Sequence, residues 1–161
     1  MPTTILVSAC LLGIHCRYDG TAKADVRVKD YLFRKGLIPI PVCPEQLGGL
    51  PTPRLPCRFT VGSGREVLAG AGEVVTRDGR TVTQSFLNGA RETLEIAGQC
   101  GCRLALLKER SPSCGVRQCY RGEVLSTGMG VAAALLSEHG IRVFSEEELA
   151  ELDRFLDKTG T

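Results

Sequence analysis

Net charge is nearly absent from this chain: 20 Lys and Arg stand against 18 Asp and Glu, for a formal +2 over 161 residues. No global field calls for nucleic acid or a membrane surface as partner, although a local basic patch is compatible with the balance. Long hydrophobic runs are missing too, and 43% hydrophobic content with a mean hydropathy of +0.02 describes a core-forming chain rather than a membrane span. There is no internal repeat or low-complexity tract, and the length suits one domain over residues 1–161. Ile5-Leu-Val-Ser-Ala-Cys10 imitates a lipoprotein cleavage site, but too few residues precede it and its apolar run is too short for an export signal. The expected compartment is therefore the cytoplasm, where thiols stay reduced.

What the chain does have is cysteine. Eight in 161 residues fall below the roughly 8–10% that marks a small disulfide scaffold, and a chain of this size can stabilise itself by burial. Cys-x-x-Cys does not occur, which argues against a thioredoxin-type redox pair and against the paired ligands of structural zinc. Cys100-Gly-Cys102 is too tight for that purpose and Cys114-x4-Cys119 slightly too long.

Apolar β-branched runs alternate with amphipathic stretches. Residues 4–8, 37–43, 103–108 and 141–144 read as strands, the second weakened by Pro39 and Pro41. Helical patterns cover residues 26–35, 82–98 behind a Thr81-x-x-Gln84 capping box, 130–139 up to Gly140, and a last segment opened by a Ser145-x-x-Glu148 box. Residues 73–76 resemble a strand followed by a turn at 77–80. Strand alternating with helix implies an α/β, Rossmann-like fold with a mainly parallel central sheet flanked by helices. Residues 44–72, rich in Pro and Gly, show little periodicity and read as a functional excursion or as short elements that periodicity does not reveal.

Four cysteines fall at the carboxyl ends of these strands or in the turns after them: Cys10 and Cys16, Cys43, and Cys114. Ligands bind outside the carboxyl edge of open parallel sheets, so loops distant in sequence would meet there, as a multidentate metal site requires. Thiolates from scattered loops are what iron–sulfur clusters use, and fewer than four cysteine ligands leaves one iron open to a substrate. Plain packing is the competing reading, since free cysteine is among the most buried residue types. It suits Cys119, and Cys57, Cys100 and Cys102 read as structural or incidental. His15 reads as a surface or hydrogen-bonding residue, and His139 as a partner of a helix C-terminus. Arg17, Arg54, Arg110 and Arg117 flank the loops as solvated charges or as phosphate contacts.

The segments Val7-Ser-Ala-Cys-Leu-Leu-Gly13, Cys16-Arg-Tyr-Asp-Gly20, Cys43-Pro-Glu45, Gly48-Gly-Leu-Pro-Thr-Pro-Arg54, Phe86-Leu-Asn-Gly-Ala90, Leu107-Lys-Glu-Arg-Ser-Pro-Ser-Cys-Gly115 and Gly128-Met-Gly-Val131 resemble the bacterial thiouracil desulfidase family. The likeness spans nearly the whole chain. It implies a [4Fe-4S] cluster held by three cysteines, with one open iron that accepts sulfur while a thiolated pyrimidine becomes the oxo base without net redox chemistry. On this resemblance Cys10, Cys16 and Cys114 are the expected metal ligands and Cys43 with Glu45 the catalytic pair, Cys43 and Cys16 being exchangeable in role. Ser111, Ser113, Gly128 and Gly130 are expected at the substrate. A small thiolated pyrimidine is the implied substrate, with a nucleoside, nucleotide or tRNA also compatible, and no membrane partner is implied. The sequence does not reveal the oligomeric state. A noncatalytic iron–sulfur or zinc module, such as a redox sensor, is the alternative, and Cys43 as a fourth ligand would be its mark.

Overall fold

The computed structural model describes residues 2–160. Strand β1 (Thr3–Ser8) lies between β2 (Leu37–Val42) and β5 (Leu104–Leu107), and β8 (Arg142–Ser145) completes a four-stranded sheet in the order β2-β1-β5-β8. Every pairing in it is parallel. Ile5, Leu6 and Val7 are fully buried because helices cover both faces. On one face α1 (Val26–Arg34) and α6 (Leu149–Thr159) bring Val28, Leu32, Leu152 and Leu156 against Ile5, Val7, Leu104 and Leu106. On the other, α4 (Thr83–Gln99) and α5 (Val131–Glu138) bring Ala97, Ala133 and Leu136 against Leu6, Ala105 and Leu107. The expected α/β architecture with a mainly parallel sheet is observed. Pro39 and Pro41 are accommodated because β2 is an edge strand, where a missing donor is tolerated.

A second sheet accompanies this one, and of its strands the sequence shows only the one at 73–76. It runs in the order β4-β3-β6-β7, from β3 (Cys57–Val61), β4 (Glu73–Thr76), β6 (Gln118–Arg121) and β7 (Val124–Thr127), with antiparallel β3/β4 and β6/β7 hairpins joined by a parallel β3/β6 contact. Residues 44–72 hold β3 and the short helices α2 (Pro44–Leu47) and α3 (Gly64–Leu68). These elements are too short to show a period, and in β6 only Cys119 is buried, so no alternation marks the strand. Cys119 packs with Phe59, Val74, Phe86 and Val131 in a core between this sheet and α4 and α5.

Two expected caps differ. Val82 sits at the α4 N-cap without a side-chain bond, while the Thr83 hydroxyl accepts from the Val74 N–H; Thr81 instead bridges to Val75. At Ser145 the reciprocal bonds do form, Ser145 N–H to Glu148 Oε1 (3.0 Å) and Glu147 N–H to Ser145 Oγ (3.2 Å), but they close a turn ahead of α6, which starts at Leu149. His139 caps α5, its Nδ1 3.0 Å from the Leu135 carbonyl. Among the described residues no helix is long and apolar enough to cross a membrane.

Candidate active site

The parallel register sets Ser8 beside Val42 and Leu106 beside Val7, so the carboxyl ends of β1, β2 and β5 open side by side and their loops share one edge. After β1 the chain makes a 3-10 turn, Ala9–Leu12, which carries Cys10 and ends at Gly13 in the left-handed region (φ 97°), open to glycine without strain. Cys16 follows in the same loop. After β2, Cys43 is the N-cap of α2, and Glu45 lies in that helix's first turn. After β5 the loop 108–117 carries Ser111, Ser113 and Cys114. Cys10, Cys16, Cys43, Cys114 and Glu45 all line one cavity of about 490 Å³, within the ordinary size of a small-molecule site.

The thiols are packed closely enough to perturb one another. Interaction with Cys10, together with burial, pushes the Cys16 thiol up to about 11. The neighbouring Cys16 and then burial push Cys43 upward. Burial pushes Cys114 up to about 12. The Cys43 S–H donates to the Cys16 carbonyl at 3.6 Å. Three such thiols ionise together only when a cation joins them.

Among the described residues no three His, Cys, Asp or Glu side chains gather tightly enough to hold one metal ion. The thiols stand around a cavity instead of about a point. A single zinc needs each sulfur at about 2.3 Å from the same ion, whereas an iron–sulfur cube takes its thiolates on separate irons. The donor set, soft thiols brought by three loops to one cavity, is of the kind such a cube takes.

Glu45 is held from two sides. Its Oε1 accepts from Arg54 Nε (3.0 Å), and its Oε2 accepts from the Ser113 hydroxyl (2.9 Å). Ser111 Oγ lies 3.0 Å from Ser113 Oγ and also accepts the N–H groups of Ser113 and Cys114, so it builds the turn that presents Ser113. Gly128 and Gly130 are not on the cavity wall. A Cβ on Gly130 would lie 2.4 Å from the Ser113 carbonyl carbon, and one on Gly128 2.9 Å from Ser63 Cβ, so Gly130 permits close packing behind the loop and Gly128 close packing on Ser63 ahead of α3. His15 is exposed, and Cys57, read from sequence as structural, lines the cavity.

The arginines divide. Arg110 pairs with Glu147 (2.7 Å) and Arg117 with Glu148 (2.8 Å), both acids of the turn after β8, while Arg17 lies over the Tyr18 ring at 5.7 Å. Arg54, with only 6% of its side chain exposed, is neither solvated nor free for a phosphate, because its charge is spent on Glu45. Two further residues went unread in the sequence. Glu109, 3% exposed, accepts the N–H groups of Val116 (2.8 Å), Arg117 (2.9 Å), Gln118 (3.2 Å) and Arg110 (3.3 Å) on one oxygen and so folds the Cys114 loop. Glu146 accepts the Glu109 N–H (2.7 Å) and pairs with Lys108 (3.2 Å). Only the return of residues 116–118 toward Glu109 reveals these roles, and no local pattern announces it.

Comparison with known proteins agrees with this geometry. The chain is 42% identical over 151 residues to the uncharacterized protein YbbK of Bacillus subtilis (strain 168), covering 92% of this chain and 99% of the relative. Its fold superposes on the solved structure of the [4Fe-4S]-dependent thiouracil desulfidase TudS with a TM-score of 0.82 and 44% identity, over 96% of this chain and 98% of the other. Residues 5–148 match the 2-thiouracil desulfurase family, and with a match of that extent the chain belongs to it.

Proposed function

We propose that this protein is an enzyme that removes sulfur from a thiolated pyrimidine, converting thiouracil and water to uracil and hydrogen sulfide without net redox change. The observation that carries this reading is the convergence of Cys10, Cys16, Cys43 and Cys114 with Glu45 on one cavity at the sheet's carboxyl edge. Cys10, Cys16 and Cys114 would hold a [4Fe-4S] cluster with one iron free of protein ligands. Bound there, such a cluster supplies a soft Lewis acid for the departing sulfur.

The chain's own residues supply the proton chemistry. Glu45 takes a proton from the water that attacks the thiocarbonyl carbon, its carboxylate aimed by the Ser113 hydroxyl. Cys43, on the cavity wall with its S–H 3.6 Å from the Cys16 carbonyl, gives a proton to the departing side. Ser113 keeps an oxygen lone pair for a ring N–H, while Ser111, whose Oγ already accepts two backbone N–H groups, serves the substrate by building the turn that presents Ser113. Gly130 serves the substrate indirectly, by letting the start of α5 press against Ser113, and Gly128 by letting the preceding segment close on Ser63. The walls expose both polar and apolar surface, as a flat heteroaromatic base requires.

The test is anaerobic purification with iron and acid-labile sulfide analysis, followed at once by assays with 2- and 4-thiouracil and with their nucleosides. Wild type carries the cluster and bleaches the thiobase absorbance, whereas Cys43→Ser and Glu45→Gln keep the cluster and lose turnover. A loaded wild-type protein that converts no thiolated pyrimidine overturns the proposal in favour of a noncatalytic cluster module. Loss of the cluster in Cys43→Ser, with retention in Cys16→Ser, exchanges the roles of those two cysteines.

A further inference from the structure

We propose that Arg54 is a positioning residue of the reaction: its guanidinium sets Glu45 in one pose and locks that pose to the segments that carry Cys16 and Cys43. The inference rests on the reading of Glu45 as the base. A guanidinium has five N–H donors in a rigid plane, and here each has an acceptor. Nε donates to Glu45 Oε1 (3.0 Å); Nη1 donates to the Pro51 carbonyl (3.2 Å) and Thr52 Oγ1 (2.9 Å); Nη2 donates to the Cys16 carbonyl (2.9 Å) and points to Cys43 Sγ at 4.0 Å. The Arg54 backbone N–H is anchored on the Tyr18 carbonyl at 2.7 Å. One planar group therefore spans the loop after β1, the N-cap of α2 and the segment 51–54.

Stability is a poor reason for this arrangement. Both partners are largely withdrawn from water, 6% and 12% exposed, and the desolvation of a buried pair offsets most of its attraction. What the pair provides is orientation. Arg54 holds one carboxylate oxygen and Ser113 the other, so the carboxylate of Glu45 is fixed in one plane at the cavity wall. The other paired cations near the edge behave differently: Arg110 and Arg117 reach acids of the β8–α6 turn and hold no residue of the thiol cluster. Lysine cannot replace Arg54, because one ammonium cannot reach acceptors spread across the plane of a fork.

Arg54→Lys and Arg54→Ala test this in the cluster-loaded protein, with turnover counted per cluster. Misplacing a reacting group by about 1 Å costs on the order of 100-fold, so kcat falls about that far in Arg54→Lys while KM and iron content stay near wild type. Methylguanidinium restores part of the activity of Arg54→Ala, and methylammonium at equal concentration does not. Apoproteins give an independent readout: methylguanidinium raises the thermal midpoint of Arg54→Ala but neither that of wild type nor that of Arg54→Ala/Glu45→Ala. Arg54→Gln replaces Arg54→Ala if the latter does not fold. A kcat per cluster within twofold of wild type in Arg54→Lys overturns the proposal, as does a methylguanidinium effect that survives loss of Glu45. If wild type turns over no thiolated pyrimidine, the functional reading has failed, and the apoprotein measurement still decides whether Glu45 holds the guanidinium.

Discussion

Glu109 offers the sharpest test of how the Cys114 loop is built. Its carboxylate is buried and gathers backbone N–H groups from 110 and from 116–118, so it closes the segment that carries Ser113 and Cys114. Counting only the two shortest bonds, at 2.8 and 2.9 Å, and about 1.5–3 kcal/mol for each hydrogen bond to a charged group, Glu109→Ala costs about 3–6 kcal/mol. Against a typical total of about 5–15 kcal/mol, that leaves the apoprotein near the edge of folding. Glu109→Gln keeps one carbonyl acceptor, and because neutral bonds are about half as strong as charge-assisted ones, it loses about 1.5–3 kcal/mol. At about 2–4 °C per kcal/mol for a chain of this size, the Gln variant melts about 3–12 °C below wild type. The assay is urea unfolding of the apoprotein followed by far-UV circular dichroism, since the chain has no tryptophan. A Gln variant within about 0.5 kcal/mol of wild type, the scatter of an ordinary surface change, would refute the idea that a charged carboxylate organises this loop.

Two other outcomes follow from local geometry. In Gly89→Ala the new Cβ would meet the Pro44 carbonyl oxygen at 1.9 Å, so α4 must push α2 and Glu45 away; a loss of about 1–3 kcal/mol with reduced turnover per cluster is expected, and unchanged turnover at full cluster content would contradict it. Asp25 caps α1, and its bonds to the Arg27 guanidinium, then to the Val28 and Arg27 N–H groups, hold its carboxyl below the usual range. Asp25→Ala therefore costs about 1 kcal/mol near neutral pH. Because the folded-state value is depressed, that contribution is whole above the ordinary aspartate range and is lost progressively as pH falls from there through the lower folded-state value. Urea curves at pH 7 and pH 3 check this, and a deficit of equal size at both would sink it.

The strands of the parallel sheet were legible because Ile5-Leu-Val7 and Leu104-Ala-Leu-Leu107 are apolar on both faces, and a strand covered by helices on both sides needs that composition. Of the second sheet only β4, at residues 73–76, was legible. Its other strands, β3, β6 and β7, are four or five residues long with few buried positions, and they are paired by contacts such as Phe59 with Arg121 that join distant segments. The Thr81 box failed because Thr81 pairs with Val75 of β4, which leaves Val82 as the N-cap and Thr83 as the first residue of α4 with its hydroxyl on Val74. Cysteines at strand ends could be placed at one edge from sequence because parallel topology brings those ends together whatever the loops do.

The linear chain alone thus determined the α/β class and the loops on which Cys10, Cys16, Cys43, Glu45 and Cys114 would sit, since periodicity and strand-end position are local properties. Only the tertiary structure decided what holds those groups: Arg54 on Glu45, Ser113 on its other oxygen, and Glu109 beneath the Cys114 loop. A buried charge is tolerable only beside its partner. Glu45 finds Ser113 across 68 positions of chain, a pairing set by packing and unmarked by any spacing in the sequence.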